Sequence, residues 1–140
     1  MGPTKIMVDT SAWLALTLLH ERTHDQIDDF IKSEQKKDTV LFTTNDIISE
    51  TITRLVYDNN LQTAQIFISR LNQAIKTKFL VQSWTDELIQ QEAFAILEKF
   101  RDHKLSLTDA TTIVIMRRFN LDAVLTLDSD FKKIGIHSLP

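Results

Sequence analysis

Short apolar runs alternate along this chain with longer segments in which apolar residues recur every three or four positions. The runs predict strands, at residues 6–8, 40–43, 79–81, 123–127 and 134–137. The longer segments predict helices, at residues 12–19, about 27–31, about 44–57, 61–75, 86–100 and 106–119. Because the strands are continuously apolar and alternate with helices, we expect an α/β fold in three layers, with helices on both faces of a mostly parallel five-stranded sheet.

Polar residues between these segments indicate where the helices begin and end. Thr43 or Thr44 is suited to cap the third helix, and Thr85 the fifth. Ser106 and Asp109 resemble a capping box, in which a hydroxyl and an acid satisfy the first amides of a helix. The charged stretch 33–38 is expected to form a loop. We find no repeat, low-complexity segment or linker, so a single domain spanning residues 1–140 is expected.

Composition excludes several classes of site. The 140 residues are 43% apolar and 25% charged, which is typical of a globular protein with one core. Cysteine is absent, which excludes disulfides and thiolate metal sites. The two glycines, Gly2 and Gly135, are too few for a glycine-rich phosphate loop. No run is apolar enough to cross a bilayer and no signal pattern is visible, so we expect a cytoplasmic protein.

The formal net charge of −3 counts mildly against a nucleic-acid partner, since such binders are usually basic. That objection weakens if the acids surround a metal ion, because a bound cation reverses the local charge. Only a local basic rim is then required. The candidates for such a rim are Lys99, Arg101, His103, Lys104, Arg117, Arg118, Lys132 and Lys133.

Four acids occupy positions where an α/β fold could gather them. Asp9 and Asp128 each follow a predicted strand, and ligand sites of open α/β sheets lie beyond the carboxyl ends of the strands. Asp109 opens a helix near that edge, and Glu50 could reach the same place from its own helix. Carboxylate oxygens suit Mg²⁺ or Mn²⁺, so a site for such an ion is expected if the four converge.

Each acid also has an ordinary structural explanation. Asp9 could cap the first helix, and Asp109 belongs to the capping box. Glu50 falls opposite the apolar stripe of its helix, with Arg54 four residues on as a partner for an ion pair. Asp128 could be a turn residue. Spacing alone leaves both explanations open.

Four short motifs that contain these acids resemble those of the PIN-domain family, in particular the VapC-type toxin ribonucleases. The motifs are VDTSAW at 8–13, ISE at 48–50, LSLTDA at 105–110 and LTLDSDF at 125–131. The resemblance spans nearly the whole chain and implies a sheet of order 3-2-1-4-5. It further implies a Mg²⁺- or Mn²⁺-dependent endoribonuclease that leaves a 5′-phosphate and a 3′-hydroxyl.

The resemblance also implies roles for individual residues and partners. Asp9, Asp109 and Asp128 would be catalytic metal ligands, with Glu50 as a fourth. Thr10, Ser11 and Asp130 would lie just outside these ligands. In the last motif Asp128 fits better than Asp130, being three residues before Phe131. The implied partners are an RNA substrate, a small antitoxin protein and a second copy of the chain.

Other functions remain possible at this point. A PIN-like nuclease that processes RNA without being a toxin would carry the same motifs, and an interaction module could keep the fold without catalysis. A phosphoacceptor receiver domain would need two acids after the first strand, where only Asp9 stands. A phosphatase of the Asp-x-Asp type is disfavoured because position 11 is Ser.

Overall fold

Five parallel strands form one sheet with the order β3-β2-β1-β4-β5 in the computed structural model, which describes residues 2–140. The strands are β1 (Thr4–Val8), β2 (Thr39–Thr44), β3 (Leu80–Ser83), β4 (Ala123–Leu125) and β5 (Ser138–Leu139). The helices are α1 (Thr10–Thr17), α2 (His24–Gln35), α3 (Asn45–Asp58), α4 (Leu61–Lys76), α5 (Glu87–Lys99), α6 (Leu107–Arg118) and α7 (Asp130–Lys133). The predicted three-layer α/β/α fold and its strand order are confirmed.

The first strand lies at the centre of the sheet because its apolar run is long enough to be covered on both faces. Ile6, Met7 and Val8 have no solvent exposure. Ile6 pairs with Leu41 of β2 on one side and with Ala123 of β4 on the other. All these pairings are parallel, so the carboxyl ends of β1, β2 and β4 meet at one edge of the sheet.

The last strand was predicted in the wrong place. Residues 134–137 do not form it; β5 is Ser138–Leu139, and the short helix α7 comes before it. The chain turns at Gly135, whose φ of +86° suits glycine. The amide of Ile136 donates to the carbonyl of Phe131 at 3.0 Å, which closes this turn. Ile134 and Ile136 therefore pack against the core from a turn, which is why their apolar pattern resembled a strand.

The fourth strand ends at Leu125, two residues before its predicted end. Beyond it, the amide of Leu127 donates to Ser11 Oγ at 2.9 Å and that of Asp128 to Thr126 Oγ1 at 3.0 Å. Side chains thus take the backbone bonds that a neighbouring strand would have provided. The apolar run continues to Leu127, but the strand defined by backbone hydrogen bonds ends at Leu125.

Several helix boundaries also differ from the predictions; α1, predicted at 12–19, is Thr10–Thr17, and α2, predicted at about 27–31, is His24–Gln35. Asp86, not Thr85, caps α5, and its Oδ1 accepts from the amide of Ile89 at 2.9 Å. The segment predicted to loop out from residue 33 is helical as far as Gln35, because Glu34 is buried and pairs with Lys37 at 3.0 Å. Thr44, one of the two predicted caps of α3, does cap it.

The helices cover the sheet on both sides, and no helix within residues 2–140 is long and apolar enough to cross a membrane. The short helix α7 is fixed to the core by Phe131, which has no solvent exposure. Asp128 and Asp130 lie immediately before this anchor, so its burial determines where they stand.

Replacing Phe131 with Ala should lower the free energy of unfolding by about 3–5 kcal/mol, because it leaves a cavity under α7. Urea unfolding followed by circular dichroism measures this loss. The matched control is Phe119→Ala, since Phe119 is 43% exposed. We expect the control to change stability by about 0.5 kcal/mol or less. Equal losses in the two variants would show that α7 is not anchored as described.

Candidate active site

A crevice of about 450 Å³ opens at the carboxyl edge of the sheet, where β1 and β4 end. All four acids singled out from the sequence line it, as do the three accompanying polar residues. These are Asp9, Glu50, Asp109 and Asp128, with Thr10, Ser11 and Asp130. Asp9 directly follows β1, and Asp128 lies three residues beyond the end of β4. Glu50 belongs to α3 and Asp109 to α6.

Asp9 stands at the N-cap position of α1 but does not cap it with its side chain. The residue is 6% exposed, and its Oδ2 accepts from Thr126 Oγ1 at 2.9 Å and from Ser11 Oγ at 3.3 Å. The alternative in which Asp9 serves only as a helix cap is therefore wrong. Two hydroxyls hold one of its oxygens, and the side chain lines the crevice.

Thr126 is a site residue that sequence reasoning missed. Val8 pairs with Leu125 in the parallel register, so the next residues, Asp9 and Thr126, stand side by side beyond the strand ends. The same hydroxyl of Thr126 accepts from the amide of Asp128 at 3.0 Å. It thereby connects two of the four acids. The available signal was the threonine directly after the apolar run of β4, but using it requires the register.

Asp109 fulfils its capping role and lines the crevice as well. Its Oδ2 accepts from the amide of Ser106 at 3.0 Å, and its own amide donates to Ser106 Oγ at 3.0 Å, which confirms the predicted capping box. The box uses one carboxylate oxygen. The structural and functional explanations of Asp109 are therefore compatible, because a carboxylate has two oxygens.

Glu50 is half-buried on α3 and does not form the ion pair expected from the sequence. Arg54 pairs instead with Asp58, one turn further along, with 3.3 Å between Nε and Oδ2. The expected pair between Glu50 and Arg54 is thus wrong. None of the ion pairs within residues 2–140 involves Glu50, and its side chain lines the crevice.

Asp128 and Asp130 belong to one turn before α7. Asp128 is exposed, and its Oδ1 accepts from the amide of Asp130 at 3.0 Å, so the turn role expected for Asp128 is confirmed. Asp130 lies 3.9 Å from Lys133 Nζ. Of the two, Asp128 has the closer connection to Asp9, through Thr126.

The acids of the crevice affect one another's ionisation. Burial raises the pKa of Asp9 from 3.8 to about 6; the hydrogen bond from Thr126 opposes this, and the charges of Asp109 and Glu50 add to it. Burial also raises the pKa of Asp109, against the bonds from Ser106, and the charges of Asp128 and Glu50 contribute. Without a cation, these carboxylates are held in an environment that disfavours their negative charge.

The chemistry of the lining fits a hard divalent cation, although the acids are not gathered tightly. Among residues 2–140, no three His, Cys, Asp or Glu side chains stand close enough to bind one ion together. All the donors are nevertheless oxygens, as Mg²⁺ and Mn²⁺ prefer. Thr10 Oγ1 is also buried there without a hydrogen-bond partner within residues 2–140. Carboxylates that repel one another and an unsatisfied hydroxyl would both gain from a hydrated cation.

Replacing Asp9 with Asn should stabilise the metal-free protein at high pH. Because the pKa of Asp9 is higher in the folded state, its contribution to stability is present below pH 4 and is lost as the pH rises through about 6. In EDTA at pH 8 we expect the variant to be more stable by up to about 3 kcal/mol. Below pH 4 the two proteins should have the same free energy of unfolding. Urea unfolding at pH values from below 4 to 8 measures this difference.

Asp29→Asn is the matched control for this measurement, because Asp29 is an exposed acid on α2. It should show no pH-dependent gain. A gain for Asp9→Asn that is the same at every pH would contradict the assigned role of burial.

The chain matches a family and several known structures. A family model described as the PIN domain matches residues 6–136. VapC20 of Mycobacterium tuberculosis, titled a sarcin-ricin loop cleaving toxin, is 24% identical, with a TM-score of 0.81 over 94% of this chain and 95% of that one. VapBC2 of Rickettsia felis, crystallised with promoter DNA, is 13% identical, with a TM-score of 0.70 over 97% and 98%.

A toxin–antitoxin complex from Klebsiella pneumoniae is also similar, at 15% identity and a TM-score of 0.63 over 96% of each chain. No curated protein matches the sequence. At these identities the structural likenesses establish the fold alone. The family model covers most of the chain and includes all four acids, so the resemblance seen in the sequence is confirmed. The chain belongs to the PIN-domain family.

Proposed function

We propose that this protein is a Mg²⁺- or Mn²⁺-dependent endoribonuclease and the toxin of a toxin–antitoxin pair, acting in the cytoplasm. The observation that carries the proposal is the crevice that Asp9, Glu50, Asp109 and Asp128 line together. Membership of the PIN-domain family and the fold shared with VapC toxins support it. Oxygen donors of this kind serve hydrolysis of phosphodiester bonds well.

Asp9, Asp109 and Asp128 would hold a hydrated cation, through its bound water where a carboxylate stands too far away to contact it, and Glu50 would bind directly or through water. When bound, such an ion lowers the pKa of a water molecule and polarises the phosphate that is attacked. Thr126 and Ser11 hold Oδ2 of Asp9, which orients the carboxylate toward the crevice. The capping box orients Asp109 in the same way. Such outer contacts fix ligand geometry before the substrate arrives.

Glu50 has a second role in this mechanism, as the general base. Its half-buried carboxylate is not committed to the Arg54 pair, so it is available to hold the attacking water and accept its proton. The helix α1 begins at the floor of the crevice with Thr10 and Ser11, and its first amides favour an anion such as the scissile phosphate.

Asp9→Asn and Asp109→Asn should each reduce cleavage of structured RNAs and total cellular RNA by more than about 100-fold. That exceeds the ten- to hundredfold loss typical of residues that only support a metal ligand. The assay uses Mg²⁺ or Mn²⁺, with mapping of the cleaved ends. EDTA should abolish cleavage, and the new ends should carry 5′-phosphates.

Asp29→Asn is again the control, and it should cleave as the wild type does. Undiminished cleavage by a variant that carries both Asp9→Asn and Asp109→Asn, with or without metal, would rule out the proposed site. A folded wild-type protein that neither binds Mn²⁺ nor cleaves any RNA would instead be an interaction module. Cleavage without growth arrest on expression would point to an RNA-processing nuclease.

We further propose that a small antitoxin binds an apolar groove on the other side of α1. The groove measures about 650 Å³ and lies between α1, α2 and α4. Leu19 at its edge is 69% exposed, and Arg70 supplies a cation there. A segment with apolar side chains and an acid would cover Leu19 and pair with Arg70.

A second copy of the chain is proposed to bind elsewhere, at the junction of α3 and α4. Tyr57 is 83% exposed, Leu61 59% and Ile66 51%. Exposed apolar side chains grouped near one helix junction are typical of protein interfaces. This surface and the apolar groove belong to different parts of α4, so a homodimer and a bound antitoxin can coexist.

One substitution in each surface should separate the two partners. Leu19→Glu should lower co-purification of the small protein encoded next to this one, while light scattering still shows a dimer. Leu61→Glu should give a monomer that retains the small protein; an acid is tolerated at the first position of α4. Each variant is the other's control. Loss of both partners in both variants would contradict the assignment of two surfaces.

A further inference from the structure

The crevice repels the substrate proposed for it. Six carboxylates line it, those of Asp9, Glu21, Glu50, Asp109, Asp128 and Asp130. Each RNA phosphate also carries a negative charge, so cations must offset the repulsion along the path of the backbone. A bound divalent ion would offset this repulsion only for the phosphate that it contacts. The neighbouring phosphates depend on basic side chains that face the crevice.

Three members of the predicted basic rim are already engaged. Arg118 donates to both carboxylate oxygens of Glu92, at 3.0 and 3.1 Å. Arg101 pairs with Glu98 at 2.7 Å. Lys99 lies over the ring of Phe100, with 5.3 Å from Nζ to the ring centroid. These residues of the predicted basic rim are therefore held by partners outside the crevice.

Three other members of the predicted basic rim do not line the crevice. Arg117 is eight residues beyond Asp109 on α6, which puts it about 12 Å further along the helix axis and away from the crevice. Lys132 lines a neighbouring small cavity beside β5, which shares Leu127 and Asp128 with the crevice. Lys133 is drawn toward Asp130, at 3.9 Å. Of the basic side chains in residues 2–140, only Arg54 and Lys104 line the crevice itself.

Arg54 is oriented for binding a phosphate. It lies on α3, one turn beyond Glu50, and its Nε donates to Asp58 Oδ2 at 3.3 Å. This bond uses the Nε edge of the guanidinium group and leaves the two terminal nitrogens for another partner. A guanidinium group with both terminal nitrogens available matches the oxygens of a phosphate.

Lys104 approaches the crevice from a different element. It belongs to the loop between α5 and α6, two residues before the cap Ser106. None of the ion pairs formed within residues 2–140 involves it. An exposed ammonium group on a flexible stem can follow a phosphate without a fixed partner.

We propose that Arg54 and Lys104 bind two RNA phosphates that flank the one being cleaved. This inference rests on the proposed function. Since the two cations stand on α3 and on the loop between α5 and α6, the RNA backbone would cross the crevice between these elements, over the acids. Both are positioning residues. They contribute binding that is similar in the ground state and the transition state, so their loss raises KM more than it lowers kcat.

The test measures binding of a labelled, mixed-sequence 12-nucleotide RNA to the Asp109→Asn protein in Mn²⁺, by fluorescence anisotropy across a range of salt concentrations. Adding Arg54→Gln or Lys104→Gln should each weaken binding roughly three- to tenfold. Each should also lower the slope of log K against log salt by about 0.7, the value for one phosphate contact on a single strand. Arg54→Lys and Lys104→Arg should restore most of the binding.

Arg117→Gln and Lys76→Gln are the matched controls, since Arg117 lies at the far end of α6 and Lys76 in the last turn of α4, before β3 begins; both variants should leave both quantities unchanged. The proposal is overturned if Arg54→Gln and Lys104→Gln behave like these controls, or if the Asp109→Asn protein binds no RNA at low salt. It is also overturned if the two variants change the Mn²⁺-induced thermal shift of the otherwise wild-type protein instead of RNA binding.

Failure of the nuclease proposal has a separate signature. In that case the wild type cleaves no RNA, whereas RNA binding that depends on Arg54 and Lys104 still supports this assignment.

Discussion

One oxygen of Asp9 holds the carboxyl edge of this protein together. It accepts hydrogen bonds from Thr126 and Ser11, and the same two hydroxyls accept the amides of Asp128 and Leu127. The end of β1, the start of α1 and the segment after β4 are thereby joined at one point. These hydroxyls also keep the buried carboxylate from standing unsatisfied, which would be costly at 6% exposure. The positions of Leu127 and Asp128 in the crevice follow from this junction.

The site is assembled at the expense of local stability. Burial of Asp9 and Asp109, together with repulsion from their neighbours, disfavours the ionised carboxylates. The compensation lies elsewhere, in the fully buried strand β1 and in residues such as Phe131 that anchor the surrounding segments. A cation that binds here would relieve the repulsion and stabilise the fold at the same time. Under the proposed function, metal affinity and folding stability would therefore be linked.

Sequence reasoning could predict the architecture because it depends on apolar patterns, as in 6–8 and 40–43, which became the adjacent strands β1 and β2. It could also place Asp9 and Asp128 at one edge, since parallel strands end together. It could not find Thr126, whose role depends on the register between β1 and β4. It misjudged the partner of Arg54 because Glu50 and Asp58 are both one helical turn away, and only side-chain packing decides between them.

The capping box at the start of α6 has a consequence for how mutations in this protein are interpreted. Ser106 touches no substrate in the proposed mechanism, yet it holds one oxygen of Asp109 through its amide and fixes the first turn through its hydroxyl. A change at Ser106 would remove the hydroxyl that accepts from the amide of Asp109 and so loosen the turn that carries this acid, although the backbone amide of residue 106 would still hold its carboxylate. A genetic screen for inactive variants would then recover Ser106 alongside the acids, although Ser106 contributes only by positioning Asp109. In the proposed mechanism, the bonds that begin α6 would therefore also position one of its catalytic acids.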